Sequence, residues 1–386
     1  MCTRRRYMRK DYMKIKWIEF ENLESGLKIE RIDFFDDVTL LVGLSGVGKT
    51  QILNAISYSL ALAVRRRIRL RPYCVKIGLQ INENYYEWSY KIKHNDELDI
   101  LTDDESEYII SDEELKKNND LVFKRENNSV IFSGYDKIPN PKKDESLLLQ
   151  YSESDEFSDL IEELKKLYSV EMDLEVRGGI RVDSFNNLKL RAINQIKKLG
   201  DSPDVFSKFS HLPVILKIYI LKRYFYDSLY VQIFNAIKEL FVEIEDVDVE
   251  EDEQKEAFFL SMKVYGKTMM QHDISNGMLK TIYYIVELYT MASDSLVLID
   301  EFENGLGVNC IDLLSDLLLT EREDLQFIIT SHHPKIINSI GKEKWRIIDR
   351  DGSRVVNSDC TKYGIGNSQH DAYYNLINRW EFEGKI

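Results

Sequence analysis

Residues 43–50 read Gly-Leu-Ser-Gly-Val-Gly-Lys-Thr, and this octapeptide limits what the chain can fold into more than any other feature. Upstream, Val38–Val42 is an apolar run whose one polar member is Thr39, the pattern of a strand covered on both faces. Downstream, Ile52, Ala55, Ile56, Leu60 and Val64 recur at helical spacing. A strand, a glycine-rich turn and a helix in that order gather backbone N–H groups and a helix N-terminus around one concave spot, which suits the oxygens of a phosphate. Lys49 would neutralise the outer phosphates of a nucleoside triphosphate, and the Thr50 hydroxyl would ligate Mg2+. Gly43, Ser45, Gly46, Val47, Gly48, Lys49, Thr50 and Gln51 are therefore the expected nucleotide-binding residues.

Three further segments extend this chemistry. Ser295-Leu296-Val297-Leu298-Ile299-Asp300-Glu301 is an apolar strand that ends in an acidic pair. Asp300 would hold Mg2+ through water, and Glu301 would orient or deprotonate the attacking water. Ser275-Asn276-Gly277 stands immediately before a helical pattern of Met278, Ile282, Ile285 and Leu288. A serine cap there leaves helix N–H groups available to an anion. Thr330-Ser331-His332-His333-Pro334 follows the apolar run Phe327–Ile329. His332 is expected to contact the γ-phosphate, with His333 its structural neighbour; adjacent strand residues face opposite ways, which argues against a shared metal.

The remaining pattern organises the chain around these segments. Ile15, Trp17, Ile18 and Phe20 predict an opening strand, and Tyr73–Ile92 predicts a β-hairpin across Asn82-Glu83-Asn84. Short strand-like pieces at 121–123 and 130–132 extend an antiparallel layer. From Asp155 to Leu240 the apolar spacing turns helical, with Leu160, Leu164 and Leu167 among its members, and the acidic stretch Glu243–Glu253 reads as a solvated connector. Strands at 296–299 and 327–329 are separated by a helix over Cys310–Leu319. The expected class is α/β, with a mixed central sheet, an antiparallel β layer and an inserted α-helical lobe. Its divisions fall at 1–150, 151–255 and 256–386.

Composition narrows the partners. A net charge of −14 and a pI near 5.1 do not give the basic footprint of a dedicated nucleic-acid binder, so any such contact would be local. Arg4, Arg5, Arg6, Arg9 and Lys10, and Arg65, Arg66, Arg67, Arg69 and Arg71, are two basic clusters that read as solvated or docking faces. Cys2, Cys74, Cys310 and Cys360 have no paired spacing, which argues against a zinc knuckle or a disulfide framework. No stretch reaches the roughly 18 apolar residues of a membrane span, and a cytoplasmic location is expected. Asp349-Arg350-Asp351-Gly352 could imitate a metal-binding pair but reads better as a hairpin turn.

The ordered set Gly43–Thr50, Ser275–Gly277, Ile299–Leu306 and Thr330–Pro334 resembles the ABC-type ATPases of the bacterial AAA15/AAA21 group. That group is related to the overcoming-lysogenization-defect proteins and to the heads of SMC-type ATPases. The Tyr-rich hairpin, Lys124-Arg125 and Ser146-Leu147-Leu148 are similar as well; Gly307 and Asn276 depart from the pattern, standing where relatives often have His and where many have Gly or Asp. The resemblance implies ATP and Mg2+ as cofactors, and a homodimer or higher even-numbered homo-oligomer. In it, Ser275, Asn276 and Gly277 of one copy grip the γ-phosphate held by the other. It implies a family-type glutamine that links Mg2+ to the helical lobe, for which Gln150 is the candidate and a surface helix residue the alternative. It further implies a regulatory ATPase of an anti-phage defence system, as in PARIS, AbiL and Septu, with a phage-derived trigger and a separate effector. Some fifty residues follow His333, too few for a nuclease domain of about 100 residues, so nuclease chemistry is expected from another chain. Two alternatives stay open: a repair or chromosome-maintenance ATPase of SMC or RecF type, and a nucleotide-gated scaffold with little turnover.

Overall fold

Val38–Val42 is buried at every residue and is an inner strand, with the parallel strands Gln326–Thr330 and Trp345–Asp351 on either side. The computed structural model describes residues 13–65, 68–95, 107–127, 129–133, 141–154, 157–165, 167–170, 178–199, 212–359, 376 and 378. In chain order the elements begin with β1 (Met13–Asn22), β2 (Lys28–Asp33), β3 (Val38–Val42), α1 (Lys49–Val64), β4 (Tyr73–Ile81) and β5 (Asn84–His94). They continue with β6 (Tyr108–Lys117), β7 (Asp120–Glu126), β8 (Ser129–Phe132), α2 (Leu147–Gln150), α3 (Ser158–Leu164), β9 (Leu167–Val170) and β10 (Ile180–Arg181). Next come α4 (Val182–Leu199), α5 (Val214–Tyr224), α6 (Val231–Leu240), β11 (Ile244–Asp252), β12 (Ala257–Val264), β13 (Lys267–Met270) and α7 (Asn276–Thr290). The last are β14 (Leu296–Ile299), α8 (Val308–Asp316), β15 (Gln326–Thr330), α9 (Pro334–Ser339), β16 (Trp345–Asp351) and β17 (Arg354–Ser358).

The chain forms two compact units, the first being Met1–Val170, Asp294–Phe302 and Asp324–Ile386. It carries one mixed sheet of 13 strands in the order β8-β7-β6-β5-β4-β1-β2-β17-β16-β3-β15-β14-β9. The segment from β16 through β3, β15 and β14 to β9 is parallel, while β4 to β8 form an antiparallel wing. Helix α1 buries Ile52, Ile56 and Leu60 in one core with Leu296, Leu298 and Ile328 of the parallel segment and Trp88 and Tyr90 of the wing. The Tyr90 hydroxyl donates to Ser59 Oγ of α1 at 3.0 Å, a polar tie inside that core. The hairpin of β4 and β5 pairs Ile81 with Asn84 around Asn82-Glu83, and Asn82 takes the left-handed φ of 55° that this turn needs.

The second unit is Glu171–Ser293 with Glu303–Glu323. In it β12 pairs with β10, β11 and β13, and Phe185 of α4 stacks on Phe258 at 4.0 Å. Helix α7 packs against α5, α6 and α8. Lys217 of α5 donates to Glu287 Oε2 of α7 at 2.6 Å, and burial lowers the lysine's proton affinity while raising the carboxyl's. Among the described residues no helix is long and apolar enough to cross a membrane.

Two expectations differ from the structure. Glu243–Glu253 is no connector: Ile244, Val247 and Val249 are buried within β11, and its outer carboxylates meet cations, Asp246 with Lys222 and Asp248 with Lys222 and Arg223, the latter two at 3.0 Å. Leu167 does not prolong a helix; α3 stops at Leu164 and β9 pairs in parallel with β14. One compact unit takes in Glu171–Ser293 and Glu303–Glu323, so β12, β13 and the Ser275 helix share it with α4, α5 and α6. Of the basic clusters, residues 1–12 and Arg66 and Arg67 lie outside the described residues, while Arg65, Arg69 and Arg71 are exposed. Cys2 and Cys360 lie outside them too; Cys74 is half-buried and Cys310 buried, neither in a disulfide.

Candidate phosphate-binding site

In the first unit β3 runs straight into the glycine-rich loop, and Gly48 closes it as the N-cap of α1 with φ 113°. An L side chain rarely adopts that angle, and a Cβ there would lie 2.8 Å from Val355 Cγ2, so the position requires glycine. Lys49 is buried and its Nζ donates to the carbonyls of Gly43 and Leu44, each at 2.9 Å. The ammonium thus lies against the loop to which it belongs. Ser45 and Gly46 are exposed, Val47 is buried, and Thr50 and Gln51 are exposed on the first turn of α1.

The acidic pair reaches this loop through β14, which ends one residue before Asp300. Thr50 Oγ1 donates to Asp300 Oδ2 at 2.7 Å across 250 residues of sequence. A hydroxyl and a carboxylate oxygen so placed are the hard ligands that Mg2+ takes, so the residues present fit that cation. The other oxygen, Asp300 Oδ1, accepts from Thr330 Oγ1 at 2.5 Å, and the same hydroxyl accepts from Glu301 N at 2.7 Å. Glu301 has φ 45°, a left-handed conformation that costs a non-glycine residue roughly 1–2 kcal/mol. Its amide bond to Thr330, the Phe302 N to Thr330 O bond of 3.0 Å and the fully buried Phe302 ring hold it there. Both carboxylates are exposed.

Beyond β15 the two histidines differ. His333 is the N-cap of α9 and its Nδ1 accepts from Lys335 N at 3.2 Å, while its own N–H donates to Ser331 Oγ at 3.1 Å. His332 is half-buried. Gln150 lies at the end of α2 with its amide engaged: Oε1 accepts from Lys142 N at 2.8 Å, and Nε2 donates to the Lys142 and Glu145 carbonyls at 2.9 and 2.8 Å. The structure makes it a clamp on the 142–145 turn, and it does not join Thr50 and Asp300.

In the second unit Ser275 caps α7 with its hydroxyl accepting from Met278 N at 3.3 Å, and Ser275 and Asn276 are exposed. A Cβ on Gly277 would lie 3.3 Å from the Gly305 carbonyl, because the turn 303–307 crosses the start of the helix here. Lys280 fixes that turn by donating to the Asn304 carbonyl at 2.9 Å. At the far end Arg322 donates to the carbonyls of Leu288 and Met291, the cationic cap that a helix C-terminus favours.

Sequence reasoning missed Thr330 as a functional group; a lone polar residue closing the apolar run of β15 was the available signal. It also missed Glu113, whose carboxylate accepts from Trp88 Nε1 at 3.1 Å, Ser146 Oγ at 2.6 Å and Leu147 N at 2.8 Å, with the Arg125 guanidinium 3.9 Å away. Burial raises this carboxyl above its usual range against those partners.

The sequence model of the family described as "AAA domain, putative AbiEii toxin, Type IV TA system" matches residues 38–338. The chain belongs to this family. The matched span opens at the first residue of β3 and takes in every site residue named above. No curated protein sequence matches the chain significantly. Among solved structures, an Smc head bound to the C-terminal winged-helix domain of ScpA covers 90% of this chain and 99% of its own, at 14% identity and a TM-score of 0.41. An Smc head domain with an extended coiled coil, bound to the C-terminal domain of ScpA derived from Pyrococcus furiosus, covers 91% and 97% at 12% identity and a TM-score of 0.41.

Proposed function

We propose that this chain hydrolyses ATP in a site completed by a second copy of itself, and that it serves as the sensor or regulatory subunit of an anti-phage defence system. The observation that carries the ATPase reading is the 2.7 Å contact of Thr50 with Asp300, which joins the phosphate loop to the acidic strand. The loop amides from Gly43 to Gln51 and the Lys49 ammonium bind the triphosphate. Thr50 and Asp300 would hold Mg2+, which when bound offsets charge on the phosphate oxygens. Glu301, held by Thr330, orients or deprotonates the attacking water, and His332 contacts the γ-phosphate.

The two-copy reading is supported by the exposed N-terminus of α7. Ser275, Asn276 and Gly277 present a hydroxyl and the first turn of a helix to an anion that another copy supplies. This arrangement supports a homodimer or a higher even-numbered assembly. The defence role is supported by the resemblance in the motifs and by the family's description, which names a putative toxin of a toxin–antitoxin system. In it the chain holds a separate effector, a nuclease of Toprim or another type, and responds to a phage-derived trigger. Nucleic acid contact, if the exposed Arg65, Arg69 and Arg71 make one, is local.

Glu301→Gln tests the core of the reading. With ATP and Mg2+ this variant is expected to accumulate as a nucleotide-bound dimer by light scattering while phosphate release falls about 100-fold. A variant that stays monomeric at saturating ATP and Mg2+ refutes the two-copy site, and wild-type turnover removes Glu301 from hydrolysis. Protection of cells against phage, lost on Lys49→Ala, tests the defence role; protection retained by that variant rules out a need for ATP binding in it.

A further inference from the structure

The Asp349–Gly352 segment is the tip of the hairpin of β16 and β17, which pairs Asp351 with Arg354 around Gly352-Ser353. Strand β16 runs parallel to β3 with Ile347 beside Val42, so the residues after Ile347 continue past the end of β3, alongside the loop that starts there. Two contacts result. Val355 of β17 lies where a side chain at Gly48 would have to go, and Arg350 Nη1 donates to the Gly46 carbonyl at 3.2 Å. The hairpin holds Arg350 for this purpose: its Nε donates to the Gly352 carbonyl at 2.9 Å, and its N–H donates to Asp349 Oδ1 at 2.8 Å.

We infer that Arg350 is a positioning residue for nucleotide binding, acting through the Gly46 carbonyl on the shape of the phosphate loop. The cause is a single peptide plane. In a trans peptide the carbonyl and the following N–H point in opposite directions, and the described residues contain no cis bond. A Gly46 carbonyl drawn to the guanidinium turns the Val47 N–H away from the hairpin, and an anion in the loop is met on that side. Gly46 is exposed at the apex of the loop, where the apolar core does not fix the peptide. Without the guanidinium this plane is free to rotate, and one amide is lost to the phosphate for part of the time. The guanidinium also places a positive charge at the loop's rim, where triphosphate charge accumulates.

This inference rests on the nucleotide reading of the loop, and one titration separates the two. The full chain is titrated with a fluorescent N-methylanthraniloyl ATP as wild type, Arg350→Ala, Arg350→Lys and Lys49→Ala. The expected result is a Kd about tenfold higher for Arg350→Ala and within roughly threefold of wild type for Arg350→Lys, which keeps a cationic donor. Because Arg350 is exposed, the unfolding midpoints of both variants without nucleotide should stay within about 2 °C of wild type. Wild-type affinity in Arg350→Ala overturns the inference and leaves the loop reading intact. Equal weakening in both Arg350 variants, with a lowered nucleotide-free midpoint, also overturns it, since the residue would then only brace the hairpin. Failure of wild type to bind the probe removes the loop reading and this inference together.

Discussion

Replacing Thr330 by valine keeps the shape of a fully buried side chain and deletes one hydroxyl, which makes it the cleanest probe of the acidic pair. That hydroxyl donates to Asp300 Oδ1 at 2.5 Å and accepts from Glu301 N at 2.7 Å. A hydrogen bond to a charged group contributes about 1.5–3 kcal/mol, and a buried amide left without its acceptor costs about 1–3 kcal/mol. Glu301 sits at φ 45°, so part of the second cost can be relieved by relaxing toward an ordinary conformation, which moves the carboxylate. If about 2.7 kcal/mol is lost in the transition state and not in the ATP complex, kcat falls about 100-fold at 1.36 kcal/mol per decade. The Lys49 side of the loop is untouched, so nucleotide Kd should change by less than roughly threefold. Phosphate release and fluorescent ATP binding measure the two quantities, and Thr330→Ser should restore most of the rate. A folded Thr330→Val protein that turns over ATP at the wild-type rate would refute the argument that this hydroxyl orients the acidic pair.

The buried pair of Lys217 and Glu287 gives a stability prediction with a pH sign. Lys217→Met leaves the Glu287 carboxyl without its ammonium and should cost about 3–5 kcal/mol in urea unfolding, most of it recovered in Lys217→Met with Glu287→Leu. Burial raises the folded pKa of Glu287 above its ordinary value of 4.5, so its ionised form is disfavoured in the fold. The penalty is absent below that ordinary value and grows as pH rises through the raised one, so Lys217→Met should be more destabilised at pH 8 than at pH 5; the opposite order contradicts the assignment. Ser275→Arg, at the exposed cap of α7, should abolish ATP-dependent dimerisation in light scattering while the monomer's affinity for fluorescent ATP stays within roughly threefold of wild type. Loss of monomer affinity in that variant would mean Ser275 acts on its own copy's nucleotide.

What could be read from the sequence was whatever announces itself within about 20 residues. The strand, loop and helix from Val38 to Val64, the Tyr73–Ile92 hairpin and the acidic end of β14 each carry their own period or turn chemistry, and the structure has them in place. The Asp-Gly turn after β16 was legible for the same reason. What depended on distant partners was not. The four residues of β9 have too short a period to declare a strand, and their reason for being one is β14, more than 100 positions away. In β11 a register shift after Ile244 breaks the alternation with Val247 and Val249, and the charge between them, which hid the strand, is tolerable because Lys222 and Arg223 arrive from α5. Thr330 and Arg350 look ordinary at a strand end and a hairpin tip. Only the fold sets one on Asp300 and the other on Gly46.

Gln150 stands in a region whose position is fixed from farther back in the chain. The expectation was a glutamine following the antiparallel layer, and a glutamine is there, but the chemistry that fixes this region begins in β6. Glu113, buried and with its carboxyl raised by that burial, accepts from Trp88 of β5 and from the hydroxyl and amide that open α2, Ser146 Oγ and Leu147 N. Arg125 of β7, whose Nη2 lies 3.9 Å from Glu113, donates through that nitrogen to the Glu145 carbonyl at 3.1 Å. Helix α2 is thus fastened at its N-terminus, and its last residue folds back to Lys142 and Glu145 to seal the turn that precedes it. A carboxylate that holds three donors and faces a guanidinium ties down the start of α2, which packs against α1. Arg125 and Ser146, which belong to the motifs of the family resemblance, are both partners of that carboxylate, which accounts for their joint presence without assigning either of them to the nucleotide.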